Sequence, residues 1–139
     1  MPLTGDHVPS SQDWVREEAE LYARTGHGTD DRALVLLSTK GAKTGAVRRT
    51  PLMRVEHAGV YAVVASWAGA DVHPSWYLNL QAHPHCSLQD GLTHSDRLAR
   101  EVTGPERSGW WSRACVAFPS YADYQSRTRR KIPVLVLEP

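Results

Sequence analysis

The chain has 139 residues, and its 16 Lys and Arg residues nearly balance its 15 Asp and Glu residues, which gives a net charge of +1 at neutral pH. This length fits one domain with a proper core, and the balanced charge argues against a binder of nucleic acid. With two cysteines, no CxxC pair, no apolar run of membrane-spanning length and no leader pattern, the sequence predicts a reduced, cytoplasmic protein.

The sequence of residues 1–32 predicts a tail followed by one helix. Residues 1–9 are interpreted as a loose tail. Ser10 or Ser11 is expected to cap a helix that runs to about Arg24, and Ser10 with Asp13 resembles a capping box. We therefore divide the chain into a tail and helix over 1–32 and a main domain beyond them.

This first helix has an apolar face formed by Val15, Ala19 and Tyr22. The face either packs on the main domain, over 33–139, or contacts a membrane surface or another subunit. The acidic polar face favours packing on the domain, because anionic lipid would repel it. At most, we expect peripheral membrane contact through this helix.

The main domain alternates apolar strands with a few helices. Strands are predicted at 33–39, 47–56, 60–66, 85–89, 92–102 and 132–137, and helices at 75–82, 104–118 and 121–127. Pro51 cannot donate to a ladder, so it marks a sheet edge or a bulge. Because the second and third strands are joined by a turn alone, we expect an antiparallel, barrel-like sheet with helices outside, and not a doubly wound parallel sheet.

A glycine-rich loop with four cations follows the first strand. Lys40, Lys43, Arg48 and Arg49 lie within ten residues, and exposed backbone N–H groups beside them would suit a phosphate or a polycarboxylate. No P-loop pattern is present. Alternate strand residues share a face, so Arg48 and Arg49 should point opposite ways, with one of them joining Lys43. The alternative is a hairpin turn that surface cations keep soluble.

Two further segments are small or apolar and could lie against a flat ring. Thr50–Met53 contains Pro51, and Val63–Ser66 ends in small residues, so both would let a ring approach the backbone closely. An ordinary sheet interior is the alternative for these positions, and we prefer it for Val63 and Val64.

Two aromatic pairs are candidates for a pocket wall. Trp76 and Tyr77, with Asn79, could cap a ligand or belong to the core. Tyr121 and Tyr124 share a helical face, and a phenol can donate a hydrogen bond to a developing oxyanion. A half-buried aromatic face is the alternative for that pair. No metal site and no Rossmann nicotinamide site is predicted.

Seven stretches in chain order together resemble one known family. They are Thr39–Gly45, Arg48–His57, Val63–Ser66, His73–Tyr77, Ala99–Val102, Tyr121–Gln125 and Ile132–Val134. The chain resembles, over about residues 33–138, the small deazaflavin-dependent nitroreductases and quinone reductases that use reduced coenzyme F-420. The resemblance implies an α+β split β-barrel like that of small flavin-binding oxidases. It also implies hydride transfer to an electron-poor acceptor such as a quinone or a nitro-heterocycle.

The resemblance also implies site residues. Lys43 and Arg48 match the residues that hold the cofactor's phosphate. Residues implied to bind the cofactor are Ala42, Lys43, Thr44, Arg48, Arg49, Thr50, Pro51, Leu52, Met53, Val64, Ala65, Ser66, Trp67, Ser75, Trp76, Tyr77, Leu78, Asn79 and Tyr121. Tyr121 and Tyr124 would flank the substrate pocket with Ser66 placed to bond the substrate or ring, and we assign these three to catalysis.

Two positions depart from the family pattern as this resemblance gives it. Phe118 stands where well-known members carry Tyr, and Trp67 stands where small or aliphatic residues are common. Both changes make the substrate side bulkier or less hydrated. They leave intact the phosphate clamp, which we define as Lys43 and Arg48. Two alternatives remain open: a module of the same fold that binds deazaflavin with little turnover, and an enzyme that uses flavin mononucleotide (FMN) on the same clamp.

Overall fold

The computed structural model describes residues 3–139, which form seven strands and four α-helices. The strands are β1 (Leu34–Lys40), β2 (Val47–Met53), β3 (Val55–His57), β4 (Val60–Val64), β5 (His85–Asp90), β6 (Thr93–Glu101) and β7 (Val134–Glu138). The helices are α1 (Asp13–Thr25), α2 (Ser75–Ala82), α3 (Gly104–Ala117) and α4 (Ser120–Ser126), with a 3₁₀ turn at Trp67–Gly69. Across 3–139, none of the helices combines the length and the apolar character needed to cross a bilayer.

All seven strands lie in one antiparallel sheet with the order β2-β1-β5-β6-β7-β4-β3. The expected single strand over 47–56 is broken at Arg54, whose N–H donates to the carbonyl of Ala33 at 2.9 Å. The strand count is therefore seven instead of six. The two halves of the broken strand are the two edges of the sheet, and Pro51 lies on one of them, as predicted.

The break at Arg54 explains how the sheet becomes a barrel. Because a single residue separates β2 from β3, the two sheet edges meet there and the sheet closes on itself at that end. Val35 and Leu37 of β1 share one buried core with Val63 of β4 and with Ala65, although β1 and β4 are far apart in strand order. The predicted α+β split β-barrel is confirmed.

Helix α1 packs on the outside of the barrel. This is the arrangement that we expected, because its acidic polar face would be repelled by anionic lipid. Ala19 and Tyr22 are buried against Leu34 and Leu36, which are the residues of β1 that alternate with the interior ones. The Tyr22 hydroxyl donates to the carbonyl of Leu34 at 2.7 Å. Helices α3 and α4 cover the other outer face, over β4 and β7.

The loose tail expected at 1–9 is wrong for its described part, because residues 6–8 pair with the edge of β2. The N–H of Val47 donates to the carbonyl of Asp6 at 2.7 Å, and the N–H of Val8 donates to the carbonyl of Val47 at 2.9 Å. His7 and Val47 form a parallel bridge. This pairing covers an otherwise open strand edge. Residues 1 and 2 lie outside the described residues.

The predicted helix cap is also wrong. The residue at the N-cap is Gln12, and its side chain makes no capping bond. The Ser10 hydroxyl instead accepts the N–H of Gln12 at 3.2 Å, and Asp13 pairs with Arg16 at 2.8 Å. The helix begins too late for Ser10 to reach its first free N–H groups.

Candidate cofactor site

The loop between β1 and β2 is closed by its own hydrogen bonds. The N–H of Gly41 donates to the carbonyl of Ala46 at 2.7 Å, and the N–H of Gly45 returns to the carbonyl of Gly41 at 3.0 Å. Gly45 has a φ of 71°, which is the left-handed region that glycine adopts without strain. The hydroxyl of Thr44 accepts the N–H of Ala46 at 3.2 Å. The loop is therefore a defined structure and not a flexible turn.

Two N–H groups at the tip of this loop are free. Within residues 3–139, neither the N–H of Lys43 nor that of Thr44 has an acceptor, and both residues are exposed. Adjacent free N–H groups with an ammonium group beside them form a concave arrangement that suits an anion. The loop therefore offers two N–H donors and one ammonium group to solvent at Lys43 and Thr44.

Asn79 fixes the position of the loop. This side chain is buried, its Oδ1 accepts the N–H of Ala42 at 3.0 Å, and its Nδ2 donates to the hydroxyl of Thr39 at 3.1 Å. Asn79 thus attaches the loop to α2 and to the interior face of β1. Its amide is used in these bonds, so its part in the site is to hold Ala42.

The two arginines of β2 lie on opposite faces of the sheet. Arg48 pairs in register with Thr39, whose side chain points into the barrel. Arg49 pairs with Ser38 and lines a small cleft against Glu20 of α1. Arg48 is therefore the arginine on the side of the Asn79–Thr39 bond, as the alternation predicted.

Arg48 is already held by the N-terminal segment. Its Nη1 donates to the carbonyl of Val8 at 3.2 Å and to that of Pro9 at 2.9 Å. Its Nε and Nη2 have no acceptor in the described part of the chain. A guanidinium has five N–H donors, so it can bind this segment and an anion together. This contact was not predicted, because Val8 and Pro9 lie some 40 positions away from Arg48 in the sequence.

An opening runs between β2 and the end of β4. The ladder between β3 and β4 starts at Val55 and Ala62; continued, it would set Met53 opposite Val64 and Leu52 opposite Ala65. No such pairing exists among residues 3–139, so the two strands separate there. Leu52 still packs on the core that contains Ala65, and Met53 on the core that contains Val64. Of the predicted residues on the two sides, Leu52 and Met53 are half-buried, whereas Val64 and Ala65 are buried in the sheet interior.

An aromatic cluster closes the α4 end of this opening. The Tyr121 ring lies 5.1 Å from that of Phe118 and 6.4 Å from that of Tyr124, both edge-on, and Tyr121 is 5% exposed. Its hydroxyl has no hydrogen-bond partner among residues 3–139. Burial, with smaller contributions from Tyr124 and Cys115, raises the pKa of Tyr121 well above its usual value. The phenol is therefore a protonated donor with a free O–H.

The turn after β4 is strained. Trp67 and Ala68 have φ values of 43° and 52°, a region that costs an L-residue about 1–3 kcal/mol. Gly69 follows with φ 79°, and a Cβ there would lie 2.8 Å from the carbonyl oxygen of Tyr124. The turn therefore touches α4 closely. Ser66, just before it, is buried, and within 3–139 its hydroxyl has no partner.

Helix α2 matches its predicted bounds but presents few of its predicted residues. Trp76 and Tyr77 are buried in the barrel core, and the Tyr77 hydroxyl donates to Glu101. Ser75 and Leu78 are exposed. The side chains that α2 offers to a ligand are therefore those of Ser75 and Leu78, whereas Trp76 and Tyr77 support them from below.

Arg127, Arg129, Arg130 and Lys131 form a second basic cluster in the sequence, and two of these cations bind other groups of the protein. Arg127 pairs with Asp123 at 2.6 Å, and Arg130 donates to three backbone carbonyls of the segment Ala65–Ala70. In the sequence this cluster is only a basic patch that could bind a small anion, and the role of Arg130 was not predicted. The sequence holds no signal for it, because its acceptors are backbone groups some 60 positions away.

Comparisons with known proteins agree with this architecture. The profile of the family described as F420H(2)-dependent quinone reductase matches residues 14–139. An F420H(2)-dependent quinone reductase of Mycobacterium tuberculosis is 37% identical over 106 residues, covering 74% of this chain and 71% of that protein.

Two solved structures are similar as well. The structure of an F420-H2 Dependent Reductase (FDR-A) is 53% identical, with a TM-score of 0.73, over 78% of this chain and 96% of that one. A structure described as a domain-swapped dimer is 50% identical, with a TM-score of 0.75, over 93% and 100%. With free anion donors at one end of a split barrel and a protonated phenol at the other, the chain belongs to the F420H(2)-dependent quinone reductases and is an oxidoreductase whose cofactor is coenzyme F-420.

Proposed function

We propose that the protein holds the phosphate of coenzyme F-420 at the β1–β2 loop and its deazaflavin along the opening between β2 and β4. The acceptor, a quinone, then binds at the Tyr121 end. The observation that carries this proposal is the pair of free N–H groups at Lys43 and Thr44, beside an exposed ammonium. The bound cofactor supplies the hydride, and the protein binds, orients and excludes water.

The donors at the loop fit a phosphate. Charge-assisted bonds from Lys43 and from the free Nε and Nη2 of Arg48 are each worth about 1.5–3 kcal/mol. Asn79 holds the loop through Ala42, so the donors are in place before the ligand arrives. The oligoglutamate tail that the resemblance implies would give further anions for exposed cations nearby.

We place the flat, largely apolar ring along this opening because the two strands are not hydrogen-bonded to each other there. β2 has seven residues, so it spans roughly 20 Å from the loop to Met53. Leu52 is half-buried and presents apolar surface on the β2 side, where Pro51 has no N–H that would need a partner. The Ser66 hydroxyl, free within 3–139, is proposed to bond the ring or the acceptor.

Tyr121 is proposed to serve the acceptor. An acceptor that gains a hydride develops negative charge on oxygen, and a buried donor stabilises such charge more than water does. The free, protonated hydroxyl of Tyr121 is the donor that we assign, with Tyr124 beside it as the outer wall. The same chemistry would serve a nitro-heterocycle, which also gains charge on oxygen, so we extend the proposal to that class of acceptor.

We also propose a cytoplasmic location with at most peripheral membrane contact through α1. Trp14 on this helix is 68% exposed and could enter a lipid interface. Ala19 and Tyr22 are already buried against the barrel, which leaves Trp14 as the main apolar residue on the free side of α1.

Titration of the purified protein with reduced F-420 and with FMN, followed by turnover with menadione, tests the proposed function. We expect F-420 to bind more tightly than FMN and menadione to be reduced at many turnovers per protein. Binding of F-420 without turnover on any quinone or nitro-heterocycle would favour the binding module, and tighter binding of FMN would favour the flavin enzyme.

A further inference from the structure

One guanidinium holds both ends of the strained turn that leads from β4 towards α2. Arg130 donates through Nη1 to the carbonyl of Ala65 at 3.1 Å and through Nη2 to that of Ser66 at 2.8 Å. Its Nε donates to the carbonyl of Ala70 at 2.7 Å, and its Nη1 also lies 3.1 Å from Nδ1 of His73. A single side chain thus ties together residues on both sides of the turn.

The turn needs such an external support. Trp67, Ala68 and Gly69 are three successive residues with left-handed φ, and two of them carry a Cβ. The internal bonds of the turn are few: the N–H of Gly69 donates to the carbonyl of Ser66 at 2.9 Å, and that of Ala70 to the carbonyl of Trp67 at 3.0 Å. Strained backbone persists where the surroundings fix it, and such positions cluster at functional sites.

The turn carries Ser66, which we propose to bond the ring or the acceptor, and Trp67, which the resemblance places on the substrate side. Ser66 begins it with a hydroxyl that has no partner within 3–139, and Trp67 is 52% exposed. Gly69 fits against the backbone of α4 at Tyr124, and the hydroxyl of Thr128 holds Asp71 at 3.0 Å. The position of the turn therefore sets the distance between Trp67 and the aromatic residues of α4.

We propose that Arg130 is a positioning residue of the acceptor site, and that Trp67, on the turn that Arg130 holds, limits the size of the acceptor. This proposal rests on the proposed function. Arg130 does not contact the acceptor or the cofactor; it acts through the carbonyls of Ala65, Ser66 and Ala70.

The planar fork of Arg130 is essential to this role. Its three nitrogens reach three carbonyls at once, whereas a lysine has one nitrogen at the end of a flexible chain and cannot span them. Arg130→Lys should therefore fail to replace arginine, although the charge is kept. Arg129→Gln is the matched control, because Arg129 is adjacent and exposed, and in the described residues it has no acceptor.

Hydrogen exchange on the cofactor-free protein tests the hold on the turn. In Arg130→Gln and Arg130→Lys, the amides of Gly69 and Ala70 should exchange at least about tenfold faster than in wild type, because opening of the turn becomes easier. The amides of the β1 core should be unchanged, and Arg129→Gln should match wild type. Equal exchange at Gly69 and Ala70 in all four proteins would overturn the proposal.

Kinetics test the consequence for the acceptor. Arg130→Gln should raise the KM for menadione at least about fivefold while the F-420 affinity stays within about twofold. Trp67→Ala should raise the kcat/KM of a quinone with a bulky side chain, relative to menadione, by about tenfold, and this gain should shrink when Arg130→Gln is added.

The possible results separate the two proposals. A wild-type protein that binds F-420 but reduces no quinone would overturn the proposed function, and this proposal with it. Wild-type turnover with an unchanged acceptor KM in Arg130→Gln would overturn this proposal alone. Parallel losses of F-420 affinity, of turnover on every acceptor and of melting temperature would also overturn it, because Arg130 would then only support the fold.

Discussion

The two ends of the candidate site are built in opposite ways. At the β1–β2 loop, Lys43 and Thr44 are exposed, and their N–H groups have no partner within 3–139. At the α4 end, Tyr121 is buried among aromatic rings and its pKa is raised. An exposed site with free donors suits a group that stays charged and partly hydrated, whereas a buried phenol suits charge that develops during a reaction.

At both ends, one side chain holds the backbone of the site in place through hydrogen bonds. Asn79 holds the loop by accepting the N–H of Ala42, and Arg130 holds the turn by donating to Ala65, Ser66 and Ala70. In each case a side chain bonds backbone groups far away in sequence. Binding and chemistry should therefore be separable, since each end has its own support. Substitutions at the loop should change cofactor affinity, and those at the α4 end should change turnover.

The largest expected effect is at Tyr121. Tyr121→Phe removes the O–H and keeps the ring packing, so turnover should fall roughly ten- to a thousand-fold while F-420 affinity stays within a few-fold. The raised pKa means that the phenol stays protonated, so wild-type activity should persist through neutral pH without a histidine-like transition. Steady-state reduction of menadione and of a nitroimidazole measures turnover.

Tyr124→Phe is the comparison for that substitution. Tyr124 is half-buried at the outside of the same cluster, so loss of its hydroxyl should lower turnover by less than the loss at Tyr121. Phe118 carries no hydroxyl and cannot substitute for Tyr121. Unchanged turnover in Tyr121→Phe on both acceptors would mean that the proton comes from water or another residue.

The second effect is on affinity at the loop. Lys43→Ala should weaken F-420 binding roughly tenfold or more, because it removes the ammonium beside the free N–H pair. Lys131→Ala removes the same charge from another exposed position and is the control. Turnover at saturating cofactor should change little in either variant. A loss of equal size in both would show that net charge, and not this loop, sets the affinity.

Arg48→Ala should also weaken binding by about tenfold, with an additional effect that Lys43→Ala lacks. It removes the bonds to the carbonyls of Val8 and Pro9, so the pairing of residues 6–8 with Val47 should loosen. Hydrogen exchange at the amide of Val8 measures this loosening. If affinity falls and that amide keeps its protection, Arg48 acts on the ligand alone.

Much of the fold could be predicted because its signals are local. Helix α2 was predicted with its observed bounds, Ser75–Ala82, since Pro74 precedes it and His83-Pro84 ends it. The opposite orientations of Arg48 and Arg49 follow from strand alternation alone. These features depend on neighbours in sequence, and the pattern of residues carries them.

The features that were missed depend on distant partners. The strand break at Arg54 is fixed by the carbonyl of Ala33 and by an ion pair with Asp90 at 3.0 Å, neither of which is visible in the segment itself. Residues 6–8 were read as a tail because their partner, Val47, lies some 40 positions away. A sequence pattern cannot distinguish a free cation from one that binds backbone, which is why the role of Arg130 escaped it.

A smaller effect separates the cofactors. The affinity for F-420 should fall as salt rises and increase with the length of its glutamate tail, because exposed ion contacts are screened over about 10 Å at 0.1 M salt. The affinity for FMN, which lacks the tail, should depend less on salt. Titrations at several ionic strengths measure both slopes, and Lys43→Ala should flatten the F-420 slope. Equal slopes for the two ligands would show that the glutamate tail does not contribute to binding.

The smallest expected effect concerns Tyr77, a residue of α2 that is buried in the barrel core. Burial, followed by the hydrogen bond to the Glu101 carboxylate, raises the pKa of Tyr77 to about 12, from a usual value of 10.0. The unfolded chain therefore loses this proton at lower pH than the folded protein does. The contribution to the free energy of unfolding is complete below pH 10 and is lost as the pH rises towards about 12.

Tyr77→Phe should therefore lose less stability than wild type across that window, as measured by urea unfolding at a series of alkaline pH values. The other tyrosines are common to both proteins, so the difference between the two pH profiles isolates Tyr77. Glu101→Gln should lie between them, because it removes the carboxylate and leaves the burial. Since Tyr77 lies in the core, the F-420 affinity of the Tyr77→Phe variant should stay within about twofold of wild type. A larger loss of affinity in Tyr77→Phe would place its hydroxyl at the cofactor, and the supporting role that its burial indicates would be wrong.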